Sequence, residues 1–128
     1  MKGDMQKWSP NVADILENAR KLYPTGEIIS KMVDGDTHRT NYFDVCTRAR
    51  KLASSLEKDG YREGEILGTL ALNTYRHLEI YYGISGMGAI THTLNFRLHP
   101  EQAIYIINHA EDKVIFCELP FVAILEAI

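Results

Sequence analysis

Residues 66–72 read Ile66-Leu67-Gly68-Thr69-Leu70-Ala71-Leu72, and Asn73 follows at once. A run this short, without a charge and without alternation, suits a strand buried on both faces, as in a parallel sheet. Working downstream, Asn73 stands where an N-cap would, ahead of a helical pattern from Thr74 to about Ser85. Ala89 to Thr93 reads as a short strand and Leu94 to His99 as a loop. Pro100 then opens a helix with Ala103, Ile104, Ile107 and Ala110 inward. Val114 to Cys117 is a third strand, and Phe121 begins one more helix. Strand, helix, strand, helix, strand, helix predicts right-handed βαβ units in a parallel α/β sheet.

Upstream, Tyr42, Val45, Cys46, Ala49, Leu52, Ala53 and Leu56 keep helical spacing. Asn41 is placed to cap that helix, with Asp44 reaching back as the acid of a capping box, and Gly60 to end it in a left-handed conformation. Before it, Glu27 to Val33 and Asp36 to Thr40 flank Asp34-Gly35, a pair whose residues both tolerate positive φ and so predicts a two-residue hairpin turn. A first helix is expected from Pro10 to Leu22, capped by Ser9, with Val12, Ile15, Leu16, Ala19 and Leu22 on its packed face. Residues 1–40, helix and hairpin, form an arm apart from the alternating pattern. Residues 41–128 hold the βα units.

The chain has 128 residues, a net charge of −3 and acidic and basic side chains intermixed. A nucleic-acid binder would be expected to show a basic face, and none is evident. No stretch approaches the ~20 apolar residues that span a bilayer. Met1 to Pro10 is polar and lacks the apolar core of a signal peptide, so a cytoplasmic location is expected. Cys46 and Cys117 sit in apolar patterns and read as buried, reduced thiols. The last helix runs Phe121, Val122, Ala123, Ile124, Leu125, Ala127, Ile128 without a stop signal, and three parallel strands leave open sheet edges. The chain is therefore expected to be a fragment whose sheet is completed by later segments.

Candidate chemistry has to be set against plainer roles. Gly83, Gly86 and Gly88 reverse the order of the dinucleotide fingerprint and precede a strand, whereas a phosphate loop follows one, so tight helix-to-strand packing is expected of them. Asn73 lies at the carboxyl end of a buried strand, where open α/β sheets bind ligands, but an N-cap is the simpler role. His92, Thr93, Asn95, Arg97 and His99 form a polar cluster. With no acid near them in sequence, the two histidines make a poor metal site, and a loop wall is the expectation. Glu63 and Glu65 flank Gly64 in a solvated turn, and Arg48, Arg50 and Lys51 read as the outward stripe of a helix. His77 and His109 fall on helices, at the surface or half-buried. No residue is assigned a catalytic, cofactor-binding or metal-ligating role.

Several stretches carry a resemblance. Asn41-Tyr42-Phe43-Asp44-Val45 looks like the Thr/Ser-Tyr-x-Glu-Leu box of adenylate-forming (AMP-binding) acyl-CoA synthetases. Gly60 to Glu65 looks like their Gly-x-x-x-Gly-Asp turn, and Gly86 to Asn95 like their Gly-Ala strand and Asn-containing loop. Arg97-Leu98-His99-Pro100-Glu101-Gln102 is similar to the family's Arg-Leu-Ser/Thr-Pro-Glu-Glu helix start, His99 replacing the capping hydroxyl. Asn73 to Ile107 resembles medium- and long-chain fatty acid–CoA ligases most. The resemblance implies part of a large N-terminal domain. It also implies a parent enzyme that adenylates a fatty acid with ATP and Mg²⁺ and transfers the acyl group to CoA. The family's reactive groups lie downstream and have no counterpart here, so no cofactor is expected to bind these residues alone. The implied partners are the remainder of the parent chain and a fatty acid, with a homodimer through the first helix and hairpin as a further expectation. Two alternatives stay open, a small non-catalytic interaction or oligomerisation module and a stand-alone nucleotide-binding domain.

Overall fold

The computed structural model describes Lys7 and residues 10–127, so the expected Ser9 cap and the final Ile128 lie outside the described residues. The first helix, α1, is shorter than its pattern, Ala13–Leu22. At its start Asn11 Oδ1 accepts from Ala13 N–H at 2.8 Å. Only Leu16 of its expected packed face is buried; Val12, Ile15 and Leu22 are exposed. The reason is that α1 leans on its neighbours through Ala13, which lies 3.6 Å from the Cβ position of Gly86, and through the acid Glu17.

β1 (Glu27–Lys31) and β2 (Thr37–Asn41) pair antiparallel, Ile29 opposite Arg39. The turn between them takes five residues, not two. A two-residue I′ turn needs positive φ at both central positions. Here Gly35 has φ +92° and Asp34 does not, so Asp34 Oδ1 accepts from Asp36 N–H and Met32 N–H donates to Asp36 O. α2 (Tyr42–Lys58) is framed as its sequence demands. Asn41 Oδ1 accepts from Asp44 N–H at 2.8 Å, and Asp44 reaches back to the Asn41 side-chain amide. At the far end Gly60, at φ +102°, donates to Glu57 O while Tyr61 donates to Leu56 O. These are the two bonds of a Schellman motif, and the Tyr61 ring packs beside Leu56.

β3 (Ile66–Leu70) is the central strand of a parallel sheet in the order β4-β3-β5, with β4 (Ile90–Thr93) and β5 (Ile115–Cys117) on either side. α3 (Tyr75–Gly86) joins β3 to β4 and α4 (Pro100–Ala110) joins β4 to β5. A 3-10 turn (Leu119–Phe121) leads into α5 (Val122–Glu126). Leu67 through Leu70 are all buried, as a continuous apolar run between two partners requires. Side chains alternate across the sheet. Leu67 and Thr69 face α2 and α3, while Gly68 pairs with His92 and Ile115 toward the opposite face.

Two apolar clusters form the core. Leu16, Val45, Cys46 and Ala49 pack with Ile28, Tyr42, Leu78 and Tyr82 around the arm. Leu56, Leu67, Ile84 and Ala89 pack with Leu52, Ile80, Val114 and Phe116 over the sheet. α2 runs through both. Gly83 lets α3 lie against it, for a Cβ there would meet Ala49 O and Leu52 Cδ2 at 3.0 Å. That glycine therefore serves helix-to-helix packing rather than the helix-to-strand packing expected from the sequence. Among the described residues no helix is long and apolar enough to cross a membrane.

Candidate functional site

Ligands of open α/β sheets bind outside the carboxyl ends of the strands. At the carboxyl end of β3 the chain passes through Ala71, Leu72, Asn73 and Thr74 into α3. Asn73 is not the cap. It is exposed, and the residue with N-cap geometry is Thr74, at φ −113° and ψ 168°. The Thr74 hydroxyl is buried and has no hydrogen-bond partner among the described residues. The first N–H of the helix, Tyr75, is instead satisfied by Ser30 Oγ at 2.8 Å, from β1, 45 residues earlier in the chain. Opposite, Leu72 N–H donates to Glu118 Oε2 at 2.8 Å, so the residue after β5 ties down the loop after β3.

Two grooves open beside this helix start. One, of about 460 Å³, is bounded by Val33, Thr74, Arg76, His77, Cys117 and Glu118. The other, of about 480 Å³, is bounded by Ile29, Ser30, Asn73, Leu78, Tyr81 and Thr93. His77 touches both and sits 3.0 Å from Thr69 Oγ1 through Nε2. His109 is exposed and stacks on Tyr105.

The polar cluster after β4 has a member that the sequence spacing hid. His92 Nδ1 lies 2.8 Å from Asp112 Oδ2, and the Asp112 side chain is fully buried. The histidine thus has an acid partner, contrary to expectation. With the carboxylate as acceptor, Nδ1–H is the donor of this bond and Nε2 points away from it. Space for Asp112 comes from Gly68, whose Cβ would stand 3.3 Å from the Asp112 carboxyl carbon. A glycine inside a buried strand marks such a close approach, and it was the one local signal available. Thr93 ends β4, and Asn95, Arg97 and His99 lie in the loop beyond it; all four are exposed. Asn95 Oδ1 accepts from Arg97 N–H, the Arg97 guanidinium lies 5.5 Å over the Phe96 ring, and Gln102 Oε1 accepts from His99 N–H to start α4.

The remaining candidates take structural roles. Gly88, at φ +82°, forms a turn whose carbonyl accepts from Gly64 N–H, and Glu63 packs over it. Glu65 Oε2 accepts from Arg62 N–H, so the two acids brace a turn. Arg48 and Arg50 are more than a solvated stripe. Arg48 Nε donates to the buried Glu79 at 2.8 Å, and Arg50 pairs with Glu17; Lys51 stays exposed. Glu17 also accepts from Arg20 and from the Cys46 thiol. The Arg20 hydrogen bond above all, then Cys46 and the Arg50 charge, hold its carboxyl down at about 2 against the opposing effect of burial. Burial pushes the Cys46 and Cys117 thiols up; both are free, and Cys117 is only half-buried. Among the described residues no three His, Cys, Asp or Glu side chains stand together as a metal-holding set. The glycines are committed to turns and packing. These donors do not fit an ATP–Mg²⁺ or CoA site of their own.

Comparison with known proteins agrees with the fold and the motifs. The chain is 41% identical over 128 residues to the 3-methylmercaptopropionyl-CoA ligase of Ruegeria lacuscaerulensis, covering 100% of this chain and 24% of that protein. It is 43% identical over 118 residues to the long-chain-fatty-acid–CoA ligase of Thermus thermophilus, covering 92% of this chain and 22% of that protein. The crystal structure of the anthranilate CoA ligase AuaEII in complex with anthranoyl-AMP superposes with a TM-score of 0.82 at 26% identity, over 100% of this chain and 24% of that one. The chain spans about a quarter of the length of the curated relatives it matches. The family model described as AMP-binding enzyme matches residues 17–127, and with it the parallel sheet, the capped helices and the relatives agree: this chain belongs to the AMP-binding enzyme family.

Proposed function

We propose that these residues are the opening part of an ATP-dependent fatty acid–CoA ligase. The parent adenylates a fatty acid carboxylate, releases pyrophosphate and passes the acyl group to the CoA thiol. ATP, Mg²⁺ and CoA are cofactors of the parent. The observation that carries this reading is the 43% identity to a long-chain-fatty-acid–CoA ligase, of which this chain spans 22%. Within the parent, residues 1–40 serve as an arm and residues 41–128 as the first βα units of the AMP-binding domain. They are scaffold. The Leu72–Glu118 bond joins the loop after β3 to the residue after β5, and the scaffold reading assigns the His92–Asp112 pair the role of tying β4 to the turn ahead of β5. The cytoplasm is the compartment we propose, consistent with two free thiols.

The test is CoA-dependent pyrophosphate release from ATP and a fatty acid. We expect activity from the full-length polypeptide that carries this sequence and none from residues 1–128 alone. Turnover by residues 1–128 would overturn the scaffold reading, and a full-length protein inert with fatty acids of every chain length would overturn the ligase reading. A second copy is the partner we propose for the arm, because Ile15, Leu22, Tyr23 and Ile29 are exposed there.

A further inference from the structure

Helix α3 has two candidate caps and uses the distant one. Thr74 has the extended backbone of an N-cap, and a threonine hydroxyl in that position ordinarily accepts from the second or third N–H of its helix, here Arg76 or His77. Instead the Thr74 hydroxyl is buried without a partner among the described residues, while Ser30 of the hairpin, 4% exposed, accepts from Tyr75 N–H. The hairpin rests on α3 at few other points. The His38 ring stacks on Tyr75 with centroids 3.8 Å apart, and Ile28 packs at the rim of the arm cluster. Its base is fixed more firmly, because Tyr42 N–H donates to Gly26 O and Phe43 N–H to Pro24 O. The hairpin also walls both grooves at the carboxyl end of β3, one through Val33 and the other through Ile29 and Ser30.

We propose that the β1–β2 hairpin is a strap that docks and undocks over the carboxyl end of β3, Ser30 capping α3 when it is docked and Thr74 taking over the cap when it lifts. In the docked state Thr74 bears the penalty of a buried, unpaired hydroxyl. In the lifted state that hydroxyl turns onto the helix end, which offsets the loss of Ser30. The exchange of caps lets the strap open both grooves without fraying α3. The movable part is the middle and tip of the hairpin, the base staying hinged at the start of α2.

Native-state hydrogen exchange, followed amide by amide on the full-length polypeptide that carries this sequence, tests the proposal. In the wild type, Ile28 to Lys31 and Tyr75 are expected to exchange as one unit, about tenfold or more faster than Leu67 to Thr69. Ser30→Ala is expected to accelerate that unit about fivefold and leave Leu67 to Thr69 unchanged. Thr74→Val acts in the opposite direction. It removes the buried hydroxyl from the docked state and the substitute cap from the lifted one, so the unit should slow about threefold. If the hairpin shares the protection of β3 in the wild type, there is no separate strap. If Thr74→Val accelerates exchange as Ser30→Ala does, there is no exchange of caps. Should Ser30→Ala not fold, the wild type and Thr74→Val decide the matter between them.

Discussion

The arm cluster and the sheet cluster share α2 but are held by different forces. Around the sheet, Leu67 and Ile84 are completely buried and β3 is paired along both edges, so apolar burial and ladder hydrogen bonds coincide. Around the arm, among the described residues, only Val45 is completely buried, and Leu16 is the one buried residue of α1. There the contacts are closed by polar ties, with Glu17 on Arg20, Arg50 and Cys46, Ser30 on Tyr75, and Arg48 on Glu79. Apolar burial involves no titrating group and is not weakened by charge screening, whereas exposed or half-exposed ion pairs are. One 17-residue helix thus belongs to a half that resists solvent conditions at its carboxyl end and to a half that responds to them at its amino end.

The largest effect should come from the sheet side. Leu67→Ala removes a side chain that makes contact all round and leaves a cavity, for a loss of about 3–5 kcal/mol by urea denaturation. Leu16→Ala, on a helix that buries nothing else, should cost about 2 kcal/mol and loosen α1 and the hairpin ahead of β3. Equal losses from the two, with a single transition for all amides, would break the distinction between the halves.

An intermediate effect is expected at a polar tie on the sheet side, the His92–Asp112 pair. Asp112→Ala deprives His92 of its partner and should cost about 1–3 kcal/mol. The sharper readout is the ring itself. Nitrogen chemical shifts should place the proton on Nδ1 in the wild type and on Nε2 in the variant. The same tautomer in both would mean that Asp112 does not orient the ring.

How much of this was legible in the sequence follows from how far each signal acts. The boundaries of α2 could be read because Asn41, Asp44 and Gly60 all work within one turn of the residues they serve. The central strand could be read because its burial on both faces is written in its own composition. The hairpin is legible but the length of its turn is not, since Asp34-Gly35 says that a bend occurs and not how many residues share it. The partners of α3 and His92 could not be read. Ser30 acts across 45 positions and Asp112 across 20, and each is positioned by the packing of the elements between. Asn73 is a good capping residue at the place where a cap is expected, but the chain turns into the helix one residue later. Arg48 and Arg50 were outward on their own helix, as read, yet met acids that other helices bring to them.

The smallest effect, and the one that isolates the arm, is acid. Glu17 has its carboxyl held at about 2, against an ordinary value of 4.5, by the Arg20 hydrogen bond first and by Cys46 and Arg50 after it. A carboxyl whose folded value is lowered binds fewer protons folded than unfolded. Its contribution is therefore fully present above pH 4.5 and is lost as the pH falls from 4.5 toward 2. Because Glu17 is partly solvated and its arginines are screened, that contribution is about 1 kcal/mol. Between pH 5 and pH 3 the wild type should lose more stability than Glu17→Gln, and the amides of α1 should lose protection before those of β3. The glutamine variant, less stable at neutral pH, should converge on the wild type at the acid end. Identical acid profiles for the two proteins would mean that the Glu17 ties leave the stability of the arm unchanged, and the contrast between the halves would then rest on apolar packing alone.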